Sequence, residues 1–130
     1  MSAASNYLEN VLLDHVLRNT TYTSPTTVYL ALYTVTPSDA GGGTEVGSGV
    51  GYTRQAITFG AAAAGSITNT NAPQYGPCTT TAWGTIVAVG VFDASTAGNL
   101  LIWGPLTVSK TIAVSDEFKV PIGGQVITLD

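Results

Sequence analysis

Charge is what this sequence has least of. Charged side chains make up 9% of its 130 residues, against about 25% in an ordinary soluble domain. Only Arg18, Arg54, Lys110 and Lys119 are basic, and they are scattered along a chain of net charge −4. Nucleic acid is held by clustered cations that neutralise phosphates, and an anionic membrane surface makes the same demand, so neither is expected as a partner. A single cysteine, Cys78, excludes an internal disulfide, and a lone free thiol mildly favours a reducing cytoplasm. No apolar run approaches the roughly 20 residues of a membrane-spanning helix. Met1 to Asn10 lacks the basic start and apolar stretch of a secretory signal, so a soluble chain made in the cytoplasm is expected. The Asn19-Thr20-Thr21 sequon then has no secretory route to use.

What replaces charge is Thr, Ser, Gly and Asn, while hydrophobic residues stand at an ordinary 45%. A monomer normally relies on a charged surface to stay unassociated. A chain this poor in charge is expected to hide surface against partners; a Thr-rich β surface that is simply solvated is the plainer alternative. The length suits one domain, residues 1–130, with a core that needs no disulfide or metal to hold it.

Residues 6–18 carry the one good helical pattern. Asn6 is a cap candidate with Glu9 three residues on. Leu8, Leu12 and Val16 recur every four residues, Val11 joins them, and Leu13 and Leu17 widen the stripe. So much apolar surface on three turns predicts burial on more than one side. After Pro25 the period becomes two. Val28, Leu30 and Leu32 share one strand face and Tyr29, Ala31 and Tyr33 the other, and two tyrosines flanking an alanine predict that this second face is covered as well. A long glycine-rich turn spans Pro37 to Gly51. Strands are predicted at 52–59, 66–70, 83–92, 100–103, 107–114, 117–122 and 125–129, and Asn71 to Thr81, with two prolines, reads as an irregular loop. The segment from Trp83 to Phe92 is apolar on both faces, with Ile86, Ala88, Gly90 and Phe92 on one and Val87, Val89 and Val91 on the other, so it is placed at the centre of a sheet. The prediction is a mainly β chain, an antiparallel sandwich or open barrel of about seven strands with one N-terminal helix.

Chemistry-bearing residues are few and do not converge. His15 lies beside Asp14 on the helix, where adjacent side chains diverge by about 100° and cannot orient each other. Cys78 has no neighbouring cation to activate it. Asp116 and Glu117 are the only adjacent acids, too few for a metal cage. Asp39, Glu45, Asp93 and Asp116 read as turn residues, and the glycines from 41 to 51 fit no phosphate-binding loop because no lysine follows them. No enzyme activity, cofactor or metal is expected. Trp83 and Trp103, each beside a glycine, read as core tryptophans, with an aromatic platform for sugar or protein contact as the alternative.

Several stretches resemble a family of small tailed-phage proteins. They are Tyr7-Leu8-Glu9-Asn10, Asp14 to Thr20, Tyr22 to Tyr33, Gly51 to Gly60, Trp83 to Ile86, Gly90 to Ala94 and Gly98 to Leu101, which follow the family's order along nearly the whole chain. The usual label of that family is phage tail fibre protein, and it offers no catalytic motif to carry over. The segment Asn71 to Thr81, with its Gly-Pro-Cys, departs from the simpler pattern of the family.

The resemblance implies a virion structural protein, and two positions on the particle compete. One is a capsid cement or decoration protein packed on the major capsid protein, a homotrimer by analogy with other decoration proteins. The other is a short tail fibre or receptor-binding protein among tail proteins. A chain with no repeat and no stalk, and with apolar residues on both strand faces, favours the first. A carbohydrate-binding module is a third reading. The residues expected to meet a second copy or another partner are Leu8, Leu12, Val16, Tyr29, Tyr33, Trp83 and Trp103.

Overall fold

A computed structural model describes residues 3–129. Within them run β1 (Ala3–Ala4), α1 (Asn6–Leu17), β2 (Val28–Val35), β3 (Thr44–Glu45), β4 (Gln55–Ile57), β5 (Ser66–Thr68), β6 (Gln74–Tyr75), β7 (Gly84–Phe92), β8 (Leu100–Ile112), β9 (Phe118–Lys119) and β10 (Val126–Thr128). The three long strands form the centre of a six-stranded antiparallel sheet in the order β1-β8-β7-β2-β3, with β4 also on β2. Two small ladders, β5 with β10 and β6 with β9, stand apart from it. The fold is mainly β, antiparallel, with no closed barrel and with the predicted helix at its start.

As its two apolar faces predict, β7 is central, between β2 and β8. One face of the sheet, built from Leu30, Leu32, Ile86, Val89 and Val91, packs beneath the ladders and their loops, which contribute Tyr75, Phe118, Val120 and Ile127 to the same core. The other face holds a smaller cluster of Ala31, Tyr33, Ala88, Phe92 and Leu100, with Val87 and Trp103 against it. Strict alternation along β7 is broken, because Ile86 faces the large core together with Val89 and Val91, whereas Ala88 faces the small one with Phe92. The cause is a ladder irregularity: Ile86 pairs with Lys110 and Ala88 with Pro105, so that Val87 stands opposite Leu106 to Ser109. A bulge of this kind changes the face on which every later residue falls.

Two predicted strands, 100–103 and 107–114, are one strand interrupted by that bulge. The predicted loop Asn71 to Thr81 contains β6 and delivers two buried residues, Tyr75 and Cys78, into the large core. Tyr75 stacks at 6.0 Å on Tyr52, which meets Trp83 edge-on at 5.7 Å. Side chains also complete the backbone pairing. β3 pairs with Tyr33 and Val35 while β4 pairs with Val28 to Leu30. In the gap between them the Leu32 N–H donates to the Tyr52 hydroxyl at 3.1 Å, and the Leu32 carbonyl accepts from the Val46 N–H.

Candidate functional site

The helix is the element most loosely joined to this body. Its cap is Ser5, one residue before the predicted Asn6. The buried Ser5 hydroxyl accepts from the Leu8 N–H at 3.2 Å and donates to the Leu100 carbonyl, while its backbone N–H donates to Leu101. Those bonds fix the first turn to β8. Beyond it no helix residue is buried, contrary to the expected burial on more than one side. At the far end Asn19 takes a left-handed conformation, and the Arg18 and Thr20 N–H groups both donate to the Asp14 carbonyl. The His15 ring accepts from the Tyr22 N–H at 3.2 Å, which turns the chain back along the helix.

Two apolar features result. Leu8 and Leu12 face the body and form one wall of a groove of about 290 Å³, whose other lining includes Ile67, Ile102, Ile127 and Leu129. Leu13, Val16 and Leu17, at 56%, 71% and 75% exposure, project from the same helix into solvent. Spacings of three and four residues align them as a single ridge.

The expected contact residues divide accordingly. Leu8 and Leu12 are half-buried in the groove wall, and Val16 is on the ridge. Tyr29 is half-buried, opposite Phe92 on β7. Tyr33 is buried in the small cluster and Trp83 in the large core, where its indole N–H donates to the Val50 carbonyl at 2.7 Å. Both are occupied by internal packing. Trp103 is half-buried, and its indole N–H donates to the Asp39 carboxylate at 3.0 Å. The ridge residues Leu13 and Leu17 complete a surface that the sequence reading reached only through Val16. Their exposure has no signature in the sequence, because the same spacing describes a buried face.

The strongest polar constellation centres on Arg54. Arg54 donates to Glu45 through Nε at 2.9 Å and through Nη2 at 2.8 Å, and through Nη1 to the carbonyls of Ala94 and Ala97. Its guanidinium lies 3.6 Å above the Phe92 ring. The Tyr52 hydroxyl donates to the same carboxylate at 2.6 Å. Glu45 is therefore a strand residue in an ion pair, where the sequence reading made it a turn residue. Desolvation works against the Arg54 cation, but the Glu45 carboxylate outweighs it and the pKa is raised. Burial, and then the bond to Glu45, pushes Tyr52 far above the usual phenol range. Burial likewise takes Tyr33 up to about 12. A shallow cleft of about 300 Å³ adjoins this network, with Ser48, Thr53, Ser95 and Thr96 on its walls. Every polar group of the network is already engaged within the chain, so its chemistry is that of a clamp joining β3, the start of β4 and the 93–99 turn.

Of the four acids read as turn residues, Asp93 and Asp116 brace their own turns. Asp93 accepts from the backbone and side chain of Asn99, and Asp116 accepts from the Ala113 N–H. The Cys78 thiol is buried and donates to the Thr81 carbonyl, while His15 is exposed on the helix. Among the described residues no three His, Cys, Asp or Glu side chains come together as a metal site, and no helix is long and apolar enough to cross a membrane.

No curated protein matches the chain. Residues 3–128 match the family described as Podophage GP4 fiber I protein gp80. That match runs from β1 to the end of β10 and agrees with the phage resemblance read from the helix and the 51–60 and 83–94 segments. With nearly its whole length inside that match, the chain belongs to the podophage GP4 fiber I protein gp80 family and is a bacteriophage virion structural protein.

Proposed function

We propose that the chain is a non-enzymatic component of a phage tail fibre, which works by packing against copies of itself and neighbouring tail proteins. The observation that carries this reading is the family match over residues 3–128, whose description names a fibre. It favours the tail over the capsid-cement position that the compact, repeat-free sequence suggested. The apolar ridge and groove around α1 support a role in adhesion, since contiguous exposed apolar surface on a soluble body marks an interaction site. The carbohydrate-module reading loses its platform, because Trp83 is buried and Trp103 is half-buried with its N–H engaged.

The test is location and copy number. Particles are separated into heads and tails, and this chain is quantified in each fraction against the major capsid protein. A fibre component gives a small, fixed number of copies in the tail fraction. Hundreds of copies on the head fraction would refute the tail assignment and restore the cement reading.

A further inference from the structure

Of the three strongest surface features, two are explained within the chain. The cleft beside Arg54 has its charged groups fully engaged, and the polar cleft between the helix start and Asp39 has its acid bonded to Trp103 and its backbone to Asn6. The third is the groove and ridge of α1. A helix of 12 residues is marginal in water unless an apolar face is packed. Here no residue of it is buried, although Leu8, Val11, Leu12, Leu13, Val16 and Leu17 occupy half of it. Something outside the single chain therefore completes its burial.

Resting on the self-association in the proposed function, and deepening it, we infer that a second copy of this chain covers the helix, seating its Leu13, Val16 and Leu17 ridge in the groove formed by Leu8, Leu12, Ile67, Ile102, Ile127 and Leu129. Three observations choose a second copy. The groove lining carries no charged side chain, and neither does the ridge, so a copy of this low-charge chain brings neither unpaired charge nor polar surface to be desolvated. The groove's 290 Å³ has room for about three side chains of leucine or valine size at interior packing density, which is what the ridge presents. Finally, ridge and groove lie side by side on one element, so every copy offers both halves of the contact. Because the two halves are different surfaces, the ridge of each copy enters the groove of another, reciprocally in a two-fold pair or in turn around a closed ring.

The full chain is tested by sedimentation and by cysteine cross-linking, for which the buried Cys78 provides no competing surface thiol. Wild type is expected to sediment as a closed oligomer of two or more copies of the 13.3 kDa chain. Leu17→Glu is expected to reduce it to monomer, with the β contribution to the far-ultraviolet spectrum unchanged and any loss confined to the helical signal. Val108→Glu, at an equally exposed apolar residue outside the patch, leaves it assembled. Leu17→Cys mixed with Leu129→Cys cross-links, whereas each variant alone does not. A wild-type monomer overturns the inference, as does an oligomer indifferent to Leu17→Glu. Cross-linking of Leu17→Cys with itself overturns the ridge-in-groove seating in favour of helix against helix. A wild-type monomer that binds another tail protein, and loses it on Leu17→Glu, would assign the groove to that protein instead. None of these outcomes bears on head or tail location, which the fractionation above decides separately.

Discussion

Replacing Arg54 by alanine should cost this small fold a large part of its stability. The Arg54 side chain is 9% exposed and that of Glu45 24%, so the pair is mostly, not fully, withdrawn from water. Removing one member of a buried pair costs about 3–5 kcal/mol because the other charge is left uncompensated. Partial access of water to Glu45, together with the Tyr52 hydroxyl that it keeps, places the expected loss at the lower end of that range, about 3 kcal/mol. Loss of the guanidinium over Phe92, at 3.6 Å, adds about 1 kcal/mol. The carbonyls of Ala94 and Ala97 lie on a surface turn and rebond to water at little cost. The assay is urea unfolding at neutral pH, with the slope unchanged and the midpoint lowered. Arg54→Lys keeps the charge but loses the two-pronged bond to Glu45, and should lie about halfway. The combination of Arg54→Met with Glu45→Gln should recover about 2 kcal/mol relative to the sum of the single changes, since no lone buried charge remains. A single-mutant loss below about 1 kcal/mol with no coupling would show that the pair behaves as a solvated surface pair, and the clamp assigned to it would be wrong.

Four further outcomes are expected. Asn69 is buried and joins three segments, donating to the carbonyls of Asn71 and Pro121 and accepting from the Gln125 N–H. Asn69→Ala should therefore cost about 2–4 kcal/mol in the same unfolding assay. Gly51 has φ of 80°, and a Cβ there would stand 2.2 Å from the Pro77 carbonyl oxygen. Gly51→Ala should cost about 3 kcal/mol or more, while Gly47→Ala, with open space around it, stays within about 0.5 kcal/mol. Alkali should unfold the chain: Tyr33 ionises at about 12 when folded against 10.0 ordinarily. Its stabilising effect is thus whole below about pH 10 and lost as the pH rises through about 12, a fall of about 2–3 kcal/mol to which Tyr52 and Tyr75 add in the same direction. In a variant with Tyr7, Tyr22 and Tyr29 replaced by phenylalanine, which leaves the three buried tyrosines, tyrosinate absorbance that rises before circular dichroism is lost would contradict that order. Assembly should survive a change from about 0.1 to about 1 M salt, because ridge and groove carry no charge to be screened; dissociation at high salt would show that ion pairs hold the copies together.

Much of the fold was legible because apolar periodicity was strong where the structure is regular. Val28 to Val35 and Gly84 to Phe92 were readable as buried strands from residues alone, and the helix was placed within a residue at each end. What escaped was set by contacts that sequence spacing does not encode. Asn6 with Glu9 reads as the cap, yet Ser5 serves, because its place against β8 lets one hydroxyl bond both Leu100 and Leu8. Residues 104–106 read as a gap between two strands, whereas Pro105 lies at the start of a bulge inside one. The Asn71 to Thr81 segment has no period at all, and the burial of Tyr75 follows from its hydroxyl reaching the Leu30 carbonyl at 2.7 Å across the core. The candidate surface was half legible. Periodicity found the apolar helix but could not say which part of the apolar arc the chain itself covers.

The shortage of charge also explains how the second layer holds together. Its strands β5, β6, β9 and β10 are two or three residues long, too short for ladder bonds alone to fix them. Neutral side chains make up the difference by bonding to backbone: Tyr75 to Leu30, Trp83 to Val50, Asn69 to Asn71 and Pro121. All but the local Asn69–Asn71 bond tie a short ladder or loop to a distant segment, and none depends on salt or on pH near neutrality. The result is a body stiffened across the sheet and both ladders, with α1 fastened to it chiefly through Ser5. Local opening starts where buried contacts are fewest, so the free energy of covering α1 does not distort the rest. A contact placed on the one weakly held element lets assembly order the helix while the β body stays as it folds alone.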